Sequence, residues 1–317
     1  MERIMRNTLN ACFVGYGSIG KRHIKNLKSI CAKRGINLSI SLLRHCKNSN
    51  SQTTQEFTVY SDISELPNNF DVIFITNPTK YHFSYFEKLI NKGKHFFIEK
   101  PICTPYYINK FSNLKFNNDC VYYVACPLRY TSLIQYLKDN LNTENVISIR
   151  AICSSYLPNW RPNTDYRKSY SAIKELGGGV DLDLIHEWDY IKYIFGQPTK
   201  IQLLKSKISN LEIDAPDIAI YIARIKDLFV EIHLDYFGRK DQRILEIYTN
   251  DDFIECDLIK NQIHFFKTDK IISFNEERDD YQTNELNSFL DMIYCNKENT
   301  NGINQALNTL KLTQGKL

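Results

Sequence analysis

A G-x-G-x-x-G sequence at residues 15–20 constrains this chain more than any other feature. It follows the apolar run 11–14 and opens a stretch, 19–32, whose apolar residues recur every three or four positions, as in a helix. In such a turn the first glycine permits the tight bend, the second lets a pyrophosphate approach the backbone, and the third lets the helix pack on the strand. The helix N-terminus then offers unpaired N–H groups to the anion. The pattern predicts a dinucleotide-binding turn made of Gly15, Tyr16, Gly17, Ser18, Ile19 and Gly20.

Strand–helix alternation continues over roughly the first 125 residues, which favours a parallel sheet covered on both faces. After residue 126 the pattern changes to consecutive short strands, and a helix is predicted over 179–195 between them. We therefore predict an α/β protein with an N-terminal Rossmann dinucleotide-binding domain at 1–126 and a C-terminal α+β domain at 127–317.

Length and composition limit the classes of protein that fit. A chain of 317 residues exceeds the roughly 250–300 residues at which a single core stops growing, which predicts two domains. The net charge of +4 comes from scattered Lys and Arg, so no nucleic-acid partner is expected. No apolar run approaches the roughly 18 residues of a membrane span, and the polar residues 1–10 lack a signal-peptide core. Nine Cys without a C-x-x-C pair predict no metal site and no disulfide framework, but free thiols in the cytoplasm.

The end of the second predicted strand is the position that reads the cofactor's ribose. An acidic residue there accepts from the 2′-hydroxyl of NAD, whereas Arg suits the 2′-phosphate of NADP. This chain has no acid at that place and carries Arg44, with Lys47, Lys21 and Arg22 nearby. We therefore expect NADP, with NAD as the alternative. A solvated basic turn would have the same composition.

Two further strand ends carry polar side chains, and ligands of open α/β sheets bind at such carboxyl ends. The residues expected to contact the cofactor there are Thr76, Asn77, Pro78, His82, Glu99 and Lys100. The ammonium group of Lys100, at the mouth of the site, can donate to a hydroxyl oxygen of a substrate. It would stabilise the charge on that oxygen as a hydride leaves. Taken alone, a lysine at this position is more often a surface residue.

A third cluster at 177–189 begins with three glycines and continues into the predicted helix. Asp183 and His186 are three residues apart, so they are expected to share one helix face. A carboxylate can fix the tautomer of an imidazole, and a His with a pKa near about 6.5 can take a hydroxyl proton. Metal binding is a weaker alternative because no second His lies within helical reach. Helix capping with a buried structural His is the other alternative.

In this order the three clusters resemble the Gfo/Idh/MocA oxidoreductases, the glucose-fructose oxidoreductase and inositol dehydrogenase family. The resemblance rests on the glycine turn, on Glu99-Lys100-Pro101 and on residues 177–186, and it extends over nearly the whole chain. It implies a second domain whose large, mostly antiparallel sheet commonly forms an oligomer interface, here of a homodimer or homotetramer. It also implies catalytic roles for Lys100 and His186. Members similar to inositol dehydrogenase place an Asp four residues before the His, where this chain has Leu182, so Asp183 departs from that pattern.

The aromatic loop 155–167 is similar to that of a family branch associated with surface glycans. Flat rings suit sugar faces, and Arg forks suit carboxylate or phosphate groups, which implies an anionic sugar or a nucleotide-sugar. The residues expected to bind it are Tyr156, Trp160, Arg161, Tyr166, Arg167, Asp183 and His186. Alternatively, the loop packs against the helix or a neighbouring subunit. Arg129 either reaches this site or pairs with an acid.

The sequence thus predicts an NAD(P)-dependent oxidoreductase. It would transfer a hydride between nicotinamide and a hydroxyl or keto carbon of a sugar or nucleotide-sugar, in the biosynthesis of surface glycans. Two alternatives use the same fold: a non-catalytic NADP-binding redox sensor, and a reductase similar to biliverdin reductase. The presence of both Lys100 and His186 disfavours the second, and cofactor binding without turnover would identify the first.

Overall fold

The computed structural model describes residues 8–44 and 56–317, so Lys47 lies outside the described residues. The chain forms two compact units. The first runs as far as Ala125 and includes Gln282–Leu307, and the second consists of Cys126–Tyr281 and Asn308–Leu317. The sequence predicted a contiguous division at 126/127, and the structure differs from it because residues 282–307 return to the first unit.

The strands described in the first unit form one parallel sheet. Their bounds are β1 Thr8–Val14, β2 Asn37–Leu43, β3 Thr58–Tyr60, β4 Phe70–Ile75, β5 Gly93–Ile98 and β6 Tyr122–Val124. The order in the sheet is β3-β2-β1-β4-β5-β6, with every described pair parallel. This order reverses between β1 and β4, where dinucleotides bind in such sheets. The predicted Rossmann domain is therefore confirmed.

The helices with described bounds between these strands are α1 Ser18–Arg34, α2 His82–Leu89 and α3 Ile108–Ser112. Helix α1 ends at Gly35, whose φ of 67° is left-handed and whose N–H bonds the Ala32 carbonyl. Such a cap satisfies carbonyl groups that the helix leaves without intrahelical partners.

The core of the first unit is aromatic and explains why the C-terminal segment returns to it. Phe13 and Phe74 stack with ring centroids 4.3 Å apart, on neighbouring strands. Phe289 belongs to helix α7, Arg278–Tyr294, and its ring packs on Phe74 and Phe97. All four rings are fully buried. Burying a ring of this size contributes about 1.5–3 kcal/mol, so the sheet holds this helix by its apolar face.

The second unit is built on a mostly antiparallel sheet, as predicted. Its strands are β7 Val146–Tyr156, β8 Lys200–Ser206, β9 Ile218–Ile225, β10 Leu228–Asp235, β11 Phe237–Thr249, β12 Phe253–Asp257, β13 Gln262–Phe265 and β14 Lys270–Ser273. Their order is β14-β13-β12-β11-β7-β10-β9-β8, and among the described pairs only β7 and β10 run parallel. Strand β14 was not predicted, since its four residues are mostly exposed and show no apolar alternation.

The helices of this unit are α4 Ser132–Asn140, α5 Val180–Asp183 and α6 His186–Phe195. The last described helix, α8 Ile303–Thr313, is divided between the two units, as α7 is. The single helix predicted over 179–195 is wrong, because the chain leaves the helical conformation at Leu184, with φ −97° and ψ 29°. Asp183 therefore ends one helix and His186 begins the next.

The two faces of the second sheet differ in burial. One face carries residues such as Ile149, Tyr221 and Leu245, which are fully buried in the core. The opposite face exposes Ile222 and Phe229 by more than half. We name this second surface the outer face, and it comprises Ile152, Ile220, Ile244, Arg150, Glu231, Glu246, Ile222, Leu204 and Phe229.

Among the described residues, no helix has the length and apolar composition needed to cross a membrane. The cysteines in the same part of the chain are free thiols, and most of them are buried.

Candidate active site

The glycine turn of the first unit is fixed by close packing at two of its three glycines. Gly15 has φ +94°, and a Cβ built on it would lie 3.0 Å from the Asn77 Cα atom. A Cβ on Gly20 would lie 2.8 Å from the Gly15 carbonyl oxygen and 2.9 Å from Thr76 Oγ1. By contrast, no atom of the described residues lies within 4 Å of a Cβ placed on Gly17. Two glycines thus serve the fold, and the third leaves room at the N-terminus of α1 for a pyrophosphate.

Thr76 holds the turn from the end of β4. Its hydroxyl donates to the carbonyl oxygens of Val14 and Gly15, at 3.1 and 3.0 Å, and its N–H also bonds Val14. Because this side chain is buried and bonded to the backbone, its role in the described structure is to shape the cradle.

His82 bridges the two strand ends that were predicted to meet the cofactor. Its ring nitrogens lie 2.7 Å from the Asn77 carbonyl oxygen and 2.9 Å from the Pro101 carbonyl oxygen. Burial lowers the pKa of His82, and the two carbonyl contacts and the Glu99 charge offset part of that shift. Lys100 stands immediately before Pro101, to which it is joined by a cis peptide bond. The bridge therefore ties the backbone around Lys100 to the residue that packs against Gly15.

Glu99 is buried behind Lys100. Its Oε1 lies 2.5 Å from His23 Nε2 on α1, and its Oε2 accepts from the Lys100 N–H at 3.2 Å. Burial raises the pKa of Glu99, but the His23 hydrogen bond and the charges of His23, Lys100 and His82 outweigh it and leave the pKa below its usual value. Glu99 is therefore an ionised anchor of α1 and of the lysine backbone.

At the other end of the turn, cations surround Tyr16. Its ring centroid lies 5.5 Å from the Arg44 guanidinium and 5.1 Å from Lys21 Nζ. Arg44 itself follows β2, and its N–H bonds the Tyr60 carbonyl on the neighbouring strand end. The predicted ribose-reading residue thus lies beside the glycine turn, where cation–π contacts hold its head.

In the second unit, carboxylates on both sides of His186 are fixed to different parts of the fold. Asp181 accepts from Lys205 Nζ on β8 at 2.7 Å, and Glu187 accepts from Arg243 Nε on β11 at 2.8 Å. Asp181 and Glu187 are both at least 98% buried. Since breaking a buried ion pair costs about 3–5 kcal/mol, these contacts hold the segment around His186 firmly on the sheet.

Asp183 faces two tyrosines. Its Oδ2 accepts from the Tyr236 hydroxyl at 2.6 Å, and its charge acts on the nearby Tyr170 phenol. Burial, together with the Asp183 charge, raises the pKa values of both tyrosines well above their usual range, so both remain donors at neutral pH. The helix is interrupted between Asp183 and His186, so Asp183 ends one helix and His186 begins the next.

Two of the arginines predicted to bind substrate are engaged in ion pairs. Arg129 is 4% exposed and forms two hydrogen bonds with Asp189, of 2.6 and 2.8 Å. Arg129 thus pairs with an acid, which was the alternative to its reaching the substrate. Arg167 contacts Asp165 in the loop and Glu212 in the segment before β9, so both acids engage its fork.

The aromatic residues of the loop pack largely within the second unit. The Trp160 ring meets the Tyr236 ring edge-on at 5.2 Å, and its Nε1 donates to Ser155 Oγ. The Tyr166 hydroxyl accepts from the Glu212 N–H. Arg161 is exposed, and its guanidinium lies 5.4 Å from the Tyr170 ring centroid, which leaves its fork accessible to an anion.

Several residues of these networks were missed by the sequence reasoning. His23, Tyr170 and Tyr236 lie in stretches of ordinary helical or apolar pattern, and their partners are 76, 13 and 53 residues away. Arg239 was also missed, although its guanidinium lies 3.7 Å from the Tyr156 ring centroid. Only the position of His23, three residues after Gly20 on the same helix face, could have indicated a residue facing the sheet.

A parallel sheet of this order with a glycine turn at a helix N-terminus defines the dinucleotide-binding class of α/β folds. Residues 9–124 match the model of the Gfo/Idh/MocA family, described as an oxidoreductase family with an NAD-binding Rossmann fold. The first unit is therefore similar to the NAD-binding domain of the Gfo/Idh/MocA oxidoreductases, in agreement with the resemblance.

Solved structures resemble the whole chain at low sequence identity. UDP-N-acetylglucosamine 3-dehydrogenase GnnA from Acidithiobacillus ferrooxidans is 17% identical, with a TM-score of 0.77 over 98% of this chain and 97% of that chain. WlbA dehydrogenase from Bordetella pertussis, in complex with NADH and UDP-GlcNAcA, is 14% identical, with a TM-score of 0.78 over 97% and 95%. A levoglucosan dehydrogenase in complex with NADH is 16% identical, with a TM-score of 0.84 over 97% and 95%. At such identities the likeness establishes the fold of both units. No curated protein sequence matches the chain.

The glycine turn yields a matched pair of variants. Gly17→Ala places a Cβ in open space, so we expect stability to change by less than about 0.5 kcal/mol while NADH binding weakens at least tenfold. Gly20→Ala drives its Cβ into backbone and Thr76, so we expect a loss of about 1–3 kcal/mol in the free energy of unfolding. Urea unfolding and NADH titration measure the two effects. Unchanged NADH affinity in Gly17→Ala would contradict the cradle.

Proposed function

We propose that the chain is an NAD(P)-dependent dehydrogenase that transfers a hydride between nicotinamide and a hydroxyl or keto carbon of a sugar. The finer proposal is that the sugar is a nucleotide-sugar used in surface-glycan biosynthesis. The observation that carries the proposal is the continuous packing from the glycine turn through Asn77 and His82 to the backbone of Lys100. It fixes an ammonium-bearing residue at the sheet edge where the nicotinamide of this fold class is bound.

The proposed chemistry divides between two side chains. When bound, NAD(P) supplies the hydride acceptor or donor. Lys100 donates to the reacting oxygen and stabilises its developing charge. His186, at the start of α6, takes the hydroxyl proton in the oxidative direction and returns it in the reductive direction. The carbon loses a hydride to the nicotinamide, and its hydroxyl oxygen loses a proton to His186. Together these two losses convert the alcohol to a ketone.

An anionic substrate is supported by the cations of the second unit. Arg161 and Arg239 are exposed, and each lies over the ring of a tyrosine, Tyr170 and Tyr156 respectively. Guanidinium groups bind phosphate and carboxylate oxygens in pairs, and neighbouring rings suit sugar faces. Similar proteins, as described above, act on or bind UDP-sugars.

The substrate proposal is tested by turnover. We expect reduction of NAD⁺ or NADP⁺ with UDP-N-acetylglucosamine or its uronate, followed by nicotinamide absorbance. Lys100→Ala and His186→Ala should each lower kcat by about 10²–10⁴-fold, because each removes a group that acts on the reacting oxygen or its proton. Lys94→Ala, an exposed lysine of β5, serves as the control and should keep the parent rate.

Two outcomes would contradict this proposal. Cofactor binding without turnover of either sugar, or of levoglucosan, would favour the redox sensor. Full activity in both variants would remove the assigned roles of the lysine and the histidine.

For the cofactor, we propose a preference for NADP over NAD. The support is local: Arg44 and Lys21 flank Tyr16 beside the glycine turn, and no acidic residue stands at the end of β2. Two cations at this place suit a 2′-phosphate, whereas a 2′-hydroxyl needs an acceptor.

Titration with both reduced cofactors tests this preference. Arg44→Ala should weaken NADPH binding by about tenfold or more, the value of a lost charge-assisted hydrogen bond, and change NADH binding little. Lys33→Ala, an exposed cation in the last turn of α1, is the matched control. Tighter binding of NADH than NADPH by the parent protein would overturn the preference.

We also propose that a second copy of the chain covers the outer face, in a homodimer or homotetramer. Cross-strand register aligns Ile220, His233, Ile152 and Ile244 in one row, which is apolar except for His233. The next row contains Glu231 and Arg150 side by side, and Arg150 also pairs with Glu246. A row with both charges is self-complementary under a two-fold axis, and apolar area of this kind is otherwise costly to expose.

Light scattering tests the assembly. The parent should have two or four times the chain mass of 37.2 kDa. Ile222→Lys places a charge within the outer face and should yield the monomer. Ile208→Lys, a residue outside that face that is also more than half exposed, should leave the mass unchanged. A monomeric parent would contradict the proposal.

A further inference from the structure

Asp183 lies three residues before the proposed catalytic histidine in the sequence, and its hydrogen bond with Tyr236 indicates a structural task. We propose that Asp183 is a positioning residue that tethers the substrate loop, 157–176, to the turn before His186, and that Tyr170 and Tyr236 are the two ends of this tether. This inference rests on the proposed function, because it explains how that site is held in shape.

The Asp183 carboxylate is directed at a buried hydroxyl group. Asp183 is 4% exposed, and its Oδ2 accepts a hydrogen bond of 2.6 Å from Tyr236, which is fully buried. The charge of the same carboxylate acts on Tyr170, so this phenol lies near Asp183 as well. A carboxylate bonded to a buried phenol and flanked by a second one suits a positioning role.

Tyr170 and Tyr236 lie in different parts of the second unit. Tyr170 stands in a short 3₁₀ turn of the substrate loop. Tyr236 lies between β10 and β11, and its carbonyl accepts from Leu157 N–H at the beginning of that loop. Asp183 thus connects the beginning of the loop, through Tyr236, with the turn that contains Tyr170. Within the loop, Trp160 packs edge-on against the Tyr236 ring.

The helix break between Asp183 and His186 lets neighbouring acids reach different partners. The carboxylates on either side of Asp183 have their own partners on the sheet, Lys205 for Asp181 and Arg243 for Glu187. A regular helix would place these acids on a fixed rotation of about 100° per residue. The break at Leu184 lets Asp183 reach Tyr236 while Glu187 reaches Arg243, and it sets where His186 begins the next helix.

The conservative variant separates a positioning role from a catalytic one. In Asp183→Asn, the amide oxygen still accepts from one tyrosine, and the amide N–H can donate to the hydroxyl oxygen of the other. The tether is kept and the charge is lost. Asp183→Ala loses both, and the double variant Tyr170→Phe/Tyr236→Phe loses the tether while keeping the carboxylate.

We expect three results in turnover of UDP-N-acetylglucosamine across a pH series. Asp183→Ala and the double tyrosine variant should lose more than tenfold in kcat/KM. Asp183→Asn should restore most of kcat at its pH plateau, within about tenfold of the parent. Tyr190→Phe is the matched control, because Tyr190 is fully buried and its hydroxyl has no hydrogen-bond partner within the described residues.

The tether has a readout that needs no substrate. Hydrogen exchange in peptides of the loop should rise about tenfold or more in Asp183→Ala and in the double variant, as expected for loss of charge-assisted hydrogen bonds. Exchange in Asp183→Asn and Tyr190→Phe should stay near that of the parent. If the parent turns over no sugar, the proposed function fails, and this measurement still decides the tether.

Two outcomes would overturn the inference. In the first, Asp183→Asn is as inactive as Asp183→Ala, while the double tyrosine variant stays active. That pattern would indicate a catalytic carboxylate. The other is loop exchange that is unchanged in Asp183→Ala.

Discussion

The backbone of the glycine turn lies so close to the end of β4 that no side chain fits at Gly15 or Gly20. This contact determines much of the first unit. It brings Asn77 against the turn, and Asn77 in turn holds His82, whose ring reaches across to the backbone at Pro101. The pyrophosphate cradle and the proposed catalytic lysine are therefore parts of one packed structure. A change at either glycine is expected to reach Lys100 through these contacts.

In the second unit, ion pairs fix the position of the segment around His186. Arg129, Lys205 and Arg243 form short ion pairs with acids on both sides of His186. Buried ion pairs add little net stability, since the desolvation of both charges offsets most of their attraction. What they do supply is geometry, because an alternative placement of the segment would leave a buried charge unpaired. We infer that these contacts are kept for the position of the helix that His186 begins.

The fold could be predicted from the sequence far more completely than the site. Apolar runs and turn residues located most strands, because periodicity and burial act on every residue of an element. The break between Asp183 and His186 was not visible, since Val180–Phe195 reads as continuous helix and the break depends on partners 53 and 56 residues away. The same limit applies to Arg129 and Arg167. Their charge suggested substrate, but long-range pairing with Asp189 and Glu212 determines where they point.

The fold depends on apolar periodicity, whereas the site depends on particular polar contacts. This explains how the fold persists at 14–17% identity to the solved structures. Many sequences satisfy an apolar strand pattern, so the scaffold tolerates wide substitution. The site depends on a few polar contacts that can be rebuilt with other residues. In this chain the position four residues before His186 holds a buried Leu182, and the neighbouring acid is bound by Tyr236 instead. The anchored acids Asp181 and Glu187 and the broken helix set the place at which His186 begins its helix in this chain.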